Sequence, residues 1–364
     1  MDYTMSMEED NNQSLSSLPD DVVLNCLVRI PRSYDLNVSC VSKSLRSLVR
    51  SPDLYRLRSL FHKDSVYLCF RQNNISSHCH WYSLCRNDRT RTNIDYQLVP
   101  VPFPSHAFMF FSSMVAVGSE IYFIGGPLDQ SKNLLILDTE SGQLHVGPSM
   151  RVARYMHKAA VEVVDGKIYV IGGCDKEIRV EVFDPESQSW EFATKEKVQC
   201  ISPFSVSLER KVYVVEDGKV CVYNPREGLR KEMLAKKKRK RDETMERLNG
   251  KVNCVCVVEN VLYALFKRSG LMWFDTKLNE WRSLVSCYDN YSSFPNNVDA
   301  MAGYNGKLAV LWSRFDSNEK KSIGCTLIAL DRVGEGIRWK IEWSGVVATF
   351  PCNYSFMHCL VVSN

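Results

Sequence analysis

Residues 157–192 read HKAAVEVVDGKIYVIGGCDKEIRVEVFDPESQSWEF, and this stretch decides the fold. Three runs of alternating apolar residues predict three short strands, and Trp190 begins a fourth. The runs are Ala159–Val164, Lys167–Ile171 and Arg179–Phe183. Asp165-Gly166 predicts a type I′ hairpin turn between the first two, because glycine accepts the positive φ that this turn needs. One such four-stranded sheet is too small to bury both of its faces, so we expect copies of it on either side.

The second strand of this unit, KIYVI around Tyr169, recurs along the chain at intervals of 44–50 residues. The equivalent positions are Tyr122, Tyr213, Tyr263 and Ala309. In three units the fourth strand begins seven positions beyond the last apolar residue of the third, and these starts are Leu144, Trp190 and Trp281. A repeat of this length with four strands in each copy predicts a β-propeller.

Paired glycines ahead of the third strand, with a tryptophan at the start of the fourth, resemble the kelch repeat. The residues that carry the resemblance are Gly125, Gly126, Gly172, Gly173, Trp190 and Trp281. The glycines would permit a bend close to the neighbouring blade, where side chains would clash, and the tryptophans would pack between sheets. The other three units lack the double glycine, so their assignment depends on spacing and apolar pattern.

Five units occupy residues from about 115 to 347, and partial units remain at both ends. The segment from Val66 to Val99 reads as a second, third and fourth strand, and Ser355–Val362 reads as a first strand. Joined, they form a sixth blade, which removes the open edges of the ring. The sequence therefore predicts a mainly β protein with a six-bladed propeller at 65–364, five or seven blades being less favoured. The blades are expected at about 65–100 with 354–364, 113–150, 157–195, 201–234, 252–286 and 298–347.

The N-terminal part has a different pattern. Residues 1–14 are acidic and polar, which predicts disorder. Apolar positions at helical spacing in residues 15–61 predict four short helices, with breaks at Pro31 and Ser51-Pro52. Such a small module has more leucine and valine than its own core can bury, so we expect an apolar face that is left for a partner.

The order of motifs in this module closely resembles the F-box of plant proteins. The matching motifs are Leu18-Pro19-Asp20-Asp21, Ile30-Pro31, Val41-Ser42-Lys43 and Ser51-Pro52. The resemblance implies docking onto a Skp-type adaptor and, through it, the cullin and RING subunits of a ubiquitin ligase. The positions that match adaptor contacts are Leu18, Pro19, Leu24, Leu27, Ile30, Pro31, Leu36, Val41, Leu45 and Leu48. Leu45 departs from the tryptophan of many members, and the alternative interpretation is that these residues only form a helical core.

A basic run dominates the net charge of +4. It consists of Lys236, Lys237, Lys238, Arg239, Lys240 and Arg241. Without these six, 40 of the 46 basic residues remain against 42 acidic ones, so the body shows no general nucleic-acid-binding face. The run resembles a nuclear localisation signal, which predicts a nuclear and cytoplasmic protein; the alternative is a solvated insertion.

The sequence gives little indication of a membrane protein, a secreted protein or a metal-dependent protein. No apolar run of about 18 residues predicts a membrane span, and no apolar segment predicts a signal peptide. The 14 cysteines are scattered through apolar runs, and we interpret them, Cys254 and Cys256 included, as reduced core thiols. His78-Cys79-His80 with Cys85 has metal-ligand residue types, but no second pair follows at zinc-finger spacing, so a surface loop before a strand is the preferred interpretation.

Enzymatic motifs are missing from the sequence: no GxSxG, P-loop or HExxH occurs. We expect no catalytic residue, no cofactor and no metal. Arg151, Arg154, Tyr155 and His157 lie in a connection between blades, and either a structural or a binding role is open to them. The family's recurring Arg and His before the first strand, matched here by Arg154 and His157, favour the structural role.

The resemblance to plant-type F-box/kelch-repeat proteins implies a non-catalytic substrate-recognition subunit of an SCF-type ubiquitin ligase. The F-box would hold the ligase, and the propeller would hold a protein target that the sequence does not identify. The rival hypothesis is a kelch interaction scaffold without a role in ubiquitylation, and a propeller enzyme or small-molecule receptor is a more distant one.

Overall fold

The structure, a computed structural model, consists of a small helical module followed by six sheets. It describes residues 18–31, 34–60, 64–73, 78–87, 95–106, 109, 112–126, 129–139, 141–174, 178–198, 202–216, 218–230, 251–286, 294–316 and 319–362. The disorder expected for residues 1–14 falls outside these ranges.

Four helices form the module: α1 (Asp20–Leu27), α2 (Asp35–Val41), α3 (Lys43–Val49) and α4 (Pro52–Leu60). Their shared core consists of Val23, Leu27, Val28, Leu45, Val49 and Leu54. Ser42 begins α3, because its hydroxyl accepts a hydrogen bond from the backbone N–H of Leu45. No helix in the described ranges combines the length and the apolar character needed to cross a bilayer.

The strands that follow form six sheets, antiparallel apart from one short strand in the sixth, and we number them as blades in chain order. Blade 1 contains β1 (Ser65–Gln72), β2 (Cys79–Asn87), β3 (Asp95–Val101) and β25 (Tyr354–Val362), and blade 2 contains β4 (Ser113–Val117), β5 (Glu120–Ile124), β6 (Leu134–Asp138) and β7 (Leu144–Val146). Blade 3 contains β8 (Ala159–Val164), β9 (Lys167–Gly172), β10 (Ile178–Asp184) and β11 (Ser189–Val198), and blade 4 contains β12 (Ser205–Leu208), β13 (Lys211–Glu216), β14 (Lys219–Asn224) and β15 (Gly228–Arg230).

Blade 5 contains β16 (Val252–Val258), β17 (Val261–Phe266), β18 (Gly270–Asp275) and β19 (Glu280–Ser283). Blade 6 contains β20 (Val285–Ser286), β21 (Val298–Tyr304), β22 (Lys307–Phe315), β23 (Lys320–Val333) and β24 (Gly336–Pro351). Its short strand β20 runs parallel to β24, with Val285 opposite Arg338, so the end of the expected fifth unit belongs to the sixth sheet.

The ring is closed by the two ends of the propeller sequence. In blade 1 the C-terminal strand β25 pairs with β1, with Ser65 opposite Val362 and Gln72 opposite Tyr354. The inner strands contact one another in the order β4, β8, β12, β16, β21, β25 and back to β4. The prediction of a mainly β, six-bladed propeller is confirmed, and its closing blade is the one that the leftover strands indicated.

Tight hairpins join the first and second strands of blades 2 to 6. Asp165 and Gly166 have φ angles of +50° and +75°, as a type I′ turn requires. Glu259-Asn260 and Asn305-Gly306 repeat this pair of positive φ angles in blades 5 and 6. These turns lie at one end of the propeller, because strand direction alternates within each blade.

The kelch-type glycines and tryptophans connect neighbouring blades. A Cβ atom added to Gly125, which has a φ of +93°, would lie only 1.9 Å from the Met156 side chain at the start of blade 3. The indole N–H of Trp190 donates to the carbonyl of Pro148, which follows blade 2, at 2.8 Å. The indole N–H of Trp281 likewise reaches back from blade 5 to the carbonyl of Gly218 in blade 4, at 2.9 Å. Gly125, Trp190 and Trp281 thus contact the neighbouring blade or the connection to it, as expected for kelch positions.

A buried ion pair inside blade 3 explains the role of Arg154. Its guanidinium lies 2.9 Å from the Glu181 carboxylate, and both side chains are fully buried. It also donates to the backbone carbonyls of Gly172 and Arg179, and Glu181 accepts the backbone N–H of Arg151. Burial lowers the pKa of Arg154, and the Glu181 carboxylate opposes that shift. Arg154 is thus structural, whereas His157 is exposed and forms no comparable contacts.

Replacement of Glu181 by alanine should destabilise the propeller strongly. The substitution leaves the Arg154 guanidinium buried without its counter-ion, which typically costs about 3–5 kcal/mol. Urea unfolding of the full chain measures the loss. As a control in the same sheet, Lys167→Ala removes an exposed pair with Asp184 and should change the midpoint little. Equal midpoints for the two variants would contradict the assigned role.

Candidate functional site

The helical module exposes apolar side chains that its core does not use. Val41, at the end of α2, is 73% exposed, and Val22 on α1 is 40% exposed. Pro19 and Pro31, which flank α1, are exposed as well. Exposed apolar side chains on a small helical module mark candidate contacts with another protein.

The ten positions that sequence comparison with F-boxes suggested for adaptor contact differ in exposure. Three of them are exposed: Pro19, Pro31 and Val41. Five are half-buried: Leu18, Leu24, Ile30, Leu36 and Leu48. Leu27 and Leu45 are only 3% and 7% exposed and lie inside the core of the module. For these two residues the structure supports the core interpretation.

A buried ion pair that the sequence did not indicate holds the helices together. The Arg58 guanidinium on α4 donates to the Asp35 carboxylate at the start of α2, with one contact at 2.8 Å. The same guanidinium donates to the backbone carbonyl of Leu27 at the end of α1, at 3.2 Å. One side chain therefore links three helices. Nothing in a single sequence pairs two residues 23 positions apart in this way.

Leu36 contacts the propeller and does not belong to the free surface of the module. It packs against the apolar cluster between blades 1 and 2, and it lies so close to Gly142 that a Cβ atom there would be 3.2 Å from Leu36 Cδ1. At the start of blade 1, the Asp64 carboxylate accepts the backbone N–H of Asn305, and the Asn305 side chain accepts the N–H of Asp64. The Leu36 contact seats the module on the propeller, and the Asp64 hydrogen bonds join the start of blade 1 to the first hairpin of blade 6.

The seat identifies the end of the propeller at which the module lies. Gly142 is in the turn between the third and fourth strands of blade 2, and Asn305 is in the first hairpin of blade 6. Both kinds of turn lie at the same end, which we call the proximal face. The opposite end, the distal face, carries the connections between blades, such as residues 147–158.

Several cysteine and histidine residues that could bind a metal or react belong to the strands of the propeller. Cys79 and His80 lie within strand β2, and Cys79 is buried, so the expectation of a surface loop holds only for His78. Cys254 and Cys256 are buried as expected, and burial raises the pKa of the Cys254 thiol to about 12. Within the described ranges no three His, Cys, Asp or Glu side chains are grouped to hold a metal ion. The basic run at 236–241 lies outside the described residues.

Comparison with known proteins matches both parts of the chain. The family model of the FKB95 kelch-repeats domain matches residues 81–348, and that of the F-box domain matches residues 15–57. An F-box/kelch-repeat protein of Arabidopsis thaliana is 45% identical, over 96% of this chain and 98% of its own length. Two other F-box/kelch-repeat proteins of the same plant are 37% and 39% identical, each over 96% of this chain and 93% and 94% of their own lengths.

Replacement of Leu36 by aspartate should loosen the seat of the helical module. The carboxylate cannot be buried in an apolar contact without a large cost, so the contact with the turn at Gly142 should open. Hydrogen exchange followed by mass spectrometry should show faster exchange at 139–144 and in α2. Asn37→Asp, which adds the same charge at the exposed neighbouring position, is the control. Unchanged exchange at 139–144 in the Leu36 variant would contradict the seat.

Proposed function

The chain belongs to the F-box/kelch-repeat family, and on this basis we propose that it is the substrate-recognition subunit of an SCF-type ubiquitin ligase. An F-box joined to kelch repeats is the composition of a substrate adaptor. The observation that carries the proposal is the exposed apolar surface around Val41 on a helical module that is itself seated on a propeller. In this role the F-box binds a Skp-type adaptor, which brings the cullin and RING subunits.

The proposed mechanism is proximity, and the chain itself forms no covalent bond. The module holds the ligase at the proximal face, and the propeller holds a target protein. Holding both raises the effective concentration of a target lysine near the charged ubiquitin carrier. The seat formed by Leu36 supports this mechanism, since a module held against the propeller keeps the two bound proteins at a defined separation.

A second candidate function is a kelch scaffold that binds its partner without directing ubiquitylation. The propeller supports either function equally, because both need only a binding face. The two differ in whether the module binds a Skp-type adaptor, so that interaction discriminates between them.

We further propose that the protein occupies both the nucleus and the cytoplasm. The support is the run of six basic residues at 236–241, whose composition matches a nuclear import signal.

Replacement of Val41 by aspartate should weaken binding to the Skp-type adaptor at least about tenfold, because a charge would be buried in an apolar interface. Val41 is preferred to Leu27 for this test, since a polar residue at Leu27 would unfold the module. Titration of the purified full chain with adaptor, followed by calorimetry, measures the affinity. Val146→Asp adds the same charge to an exposed valine of the propeller and should leave the affinity unchanged.

If the unmodified chain does not bind the adaptor, the ligase proposal is lost and the scaffold function remains. If it binds and Val41→Asp binds equally well, the docking surface lies elsewhere on the module.

Alanine at all six positions from 236 to 241 should reduce the nuclear fraction of a fluorescently tagged protein at least about twofold, because importins bind clustered positive charge. Alanine at the exposed Lys267 and Lys277 is the control and should change nothing. An unaltered distribution of the six-residue variant would refute the import signal.

A further inference from the structure

A channel along the axis of the propeller is lined by the six inner strands. Two cavities, of about 640 Å³ toward the proximal face and about 290 Å³ toward the distal face, occupy it. They share five lining residues, and we call the section where the two cavities meet the waist. The waist is lined by Met114, Val161, Glu162, Met301 and Cys359. Glu162 is the one carboxylate among these five described residues.

Glu162 has hydrogen-bond partners but no counter-ion. The Ser205 hydroxyl donates to its carboxylate at 2.9 Å, and the backbone N–H of Ser207 donates as well. Among the described residues that line the two cavities, none is a lysine or arginine. Burial raises the pKa of Glu162 to about 7 against the opposing effect of these two hydrogen bonds, and a positive charge placed beside the carboxylate would favour its ionised form.

A second carboxylate faces the distal cavity from the opposite side. Asp299 lies on the inner strand of blade 6, three blades away from Glu162 in a ring of six. Burial raises its pKa, although Ser313 and Lys321 act in the other direction. His358 also lines this cavity, and its ring is hydrogen-bonded to the backbone carbonyl of Met109. Because burial lowers the pKa of His358, the ring is neutral and adds no positive charge.

The hydrogen bond from Ser205 to Glu162 joins β8 of blade 3 to β12 of blade 4, but this contact does not need a carboxylate. A glutamine at position 162 could accept the same hydrogen bond from Ser205 without the cost of burying a charge. The buried charges that do serve the fold are compensated, as in the pairs of Arg154 with Glu181 and of Arg58 with Asp35. An uncompensated carboxylate at the waist of an open channel therefore points to a cation that comes from outside the chain.

We propose that the distal mouth of the channel receives a lysine or arginine side chain of the target protein, with its cationic end at Glu162. The identity of the partner as a target protein depends on the function proposed above. The shape of the channel favours a side chain of this kind: an aliphatic stem fits the apolar wall of Met114, Val161 and Met301, and the charge fits the carboxylate at the waist.

The position of the module makes the distal mouth the accessible one. Asp64, beside the helical module, is among the residues that line the proximal cavity, whereas Ser112, Pro203 and Asn253 line the distal cavity at the starts of inner strands. A partner that enters from the distal face therefore meets neither the helices nor a protein bound to them.

Peptide display on the purified full chain tests the proposal. A library of random heptapeptides should yield binders that share a lysine or arginine at one fixed position. Glu162→Gln should reduce the affinity of the best binder at least about tenfold, because a charge-assisted contact is lost. Glu191→Gln makes the same chemical change at an exposed position of blade 3 and should have no effect.

A second measurement works without any protein variant. Replacement of the shared basic residue in the peptide by norleucine keeps the stem and removes the charge, and it should also weaken binding at least about tenfold. Binders without a shared basic residue would overturn the proposal, as would an affinity that both Glu162→Gln and norleucine leave unchanged. Equal competition by free lysine amide would assign the channel to a small amine and overturn the protein side chain as its occupant.

The outcome is separate from that of the adaptor titration. Adaptor affinity should be the same for Glu162→Gln and for the unmodified chain, since Glu162 is in blade 3 and far from Val41 in sequence and fold. Failure of adaptor binding with intact peptide selection would refute the ligase role and keep the channel site as part of a scaffold.

Discussion

Closure of the ring by the pairing of β25 with β1 is the constraint on which the rest of the structure depends. No single blade can bury both of its faces, so each blade needs a neighbour on either side. The sixth blade finds its second neighbour only in blade 1, which is built from both ends of the propeller sequence. Strand β25 meets β1 along eight residue pairs from Ser65 to Gln72. The same closure places Asp64 beside the hairpin at Asn305. The chain therefore enters the propeller from the helical module at the proximal face.

Buried charges divide into two groups with different consequences. Arg154 with Glu181, and Arg58 with Asp35, are ion pairs whose remaining polar atoms mostly bond to backbone groups, and each pair ties several segments of one module together. Glu162 is the contrasting case, because its partners are a hydroxyl and an N–H group. The two ion pairs stabilise the fold, and this role explains them. Glu162 has no counter-ion within the fold, so we look for its partner in another molecule.

The sequence contained enough information for the fold but not for the site. Spacing of Tyr169 and its equivalents, with turn residues such as Asp165-Gly166, reflects local backbone rules, so the blades and their number could be inferred. The difference between Leu27, which is in the core, and Leu36, which contacts the propeller, depends on how two modules meet. Glu162 alternates with valines as a solvent-facing residue of a strand would, and only closure of the ring turns that solvent-facing side into the wall of a channel.

The helical module and the distal mouth of the channel lie at opposite faces of the propeller. Leu36 packs between blades 1 and 2 at the proximal end, and the distal cavity opens at the starts of the inner strands. Antiparallel pairing forces these positions apart, because each blade has its first hairpin at one end and its connections to neighbours at the other. A flexible tether would give two bound proteins a broad distribution of distances, and effective concentration falls steeply as that distribution widens. A module seated through Leu36 narrows that distribution, so the blades themselves would set the orientation of a bound target.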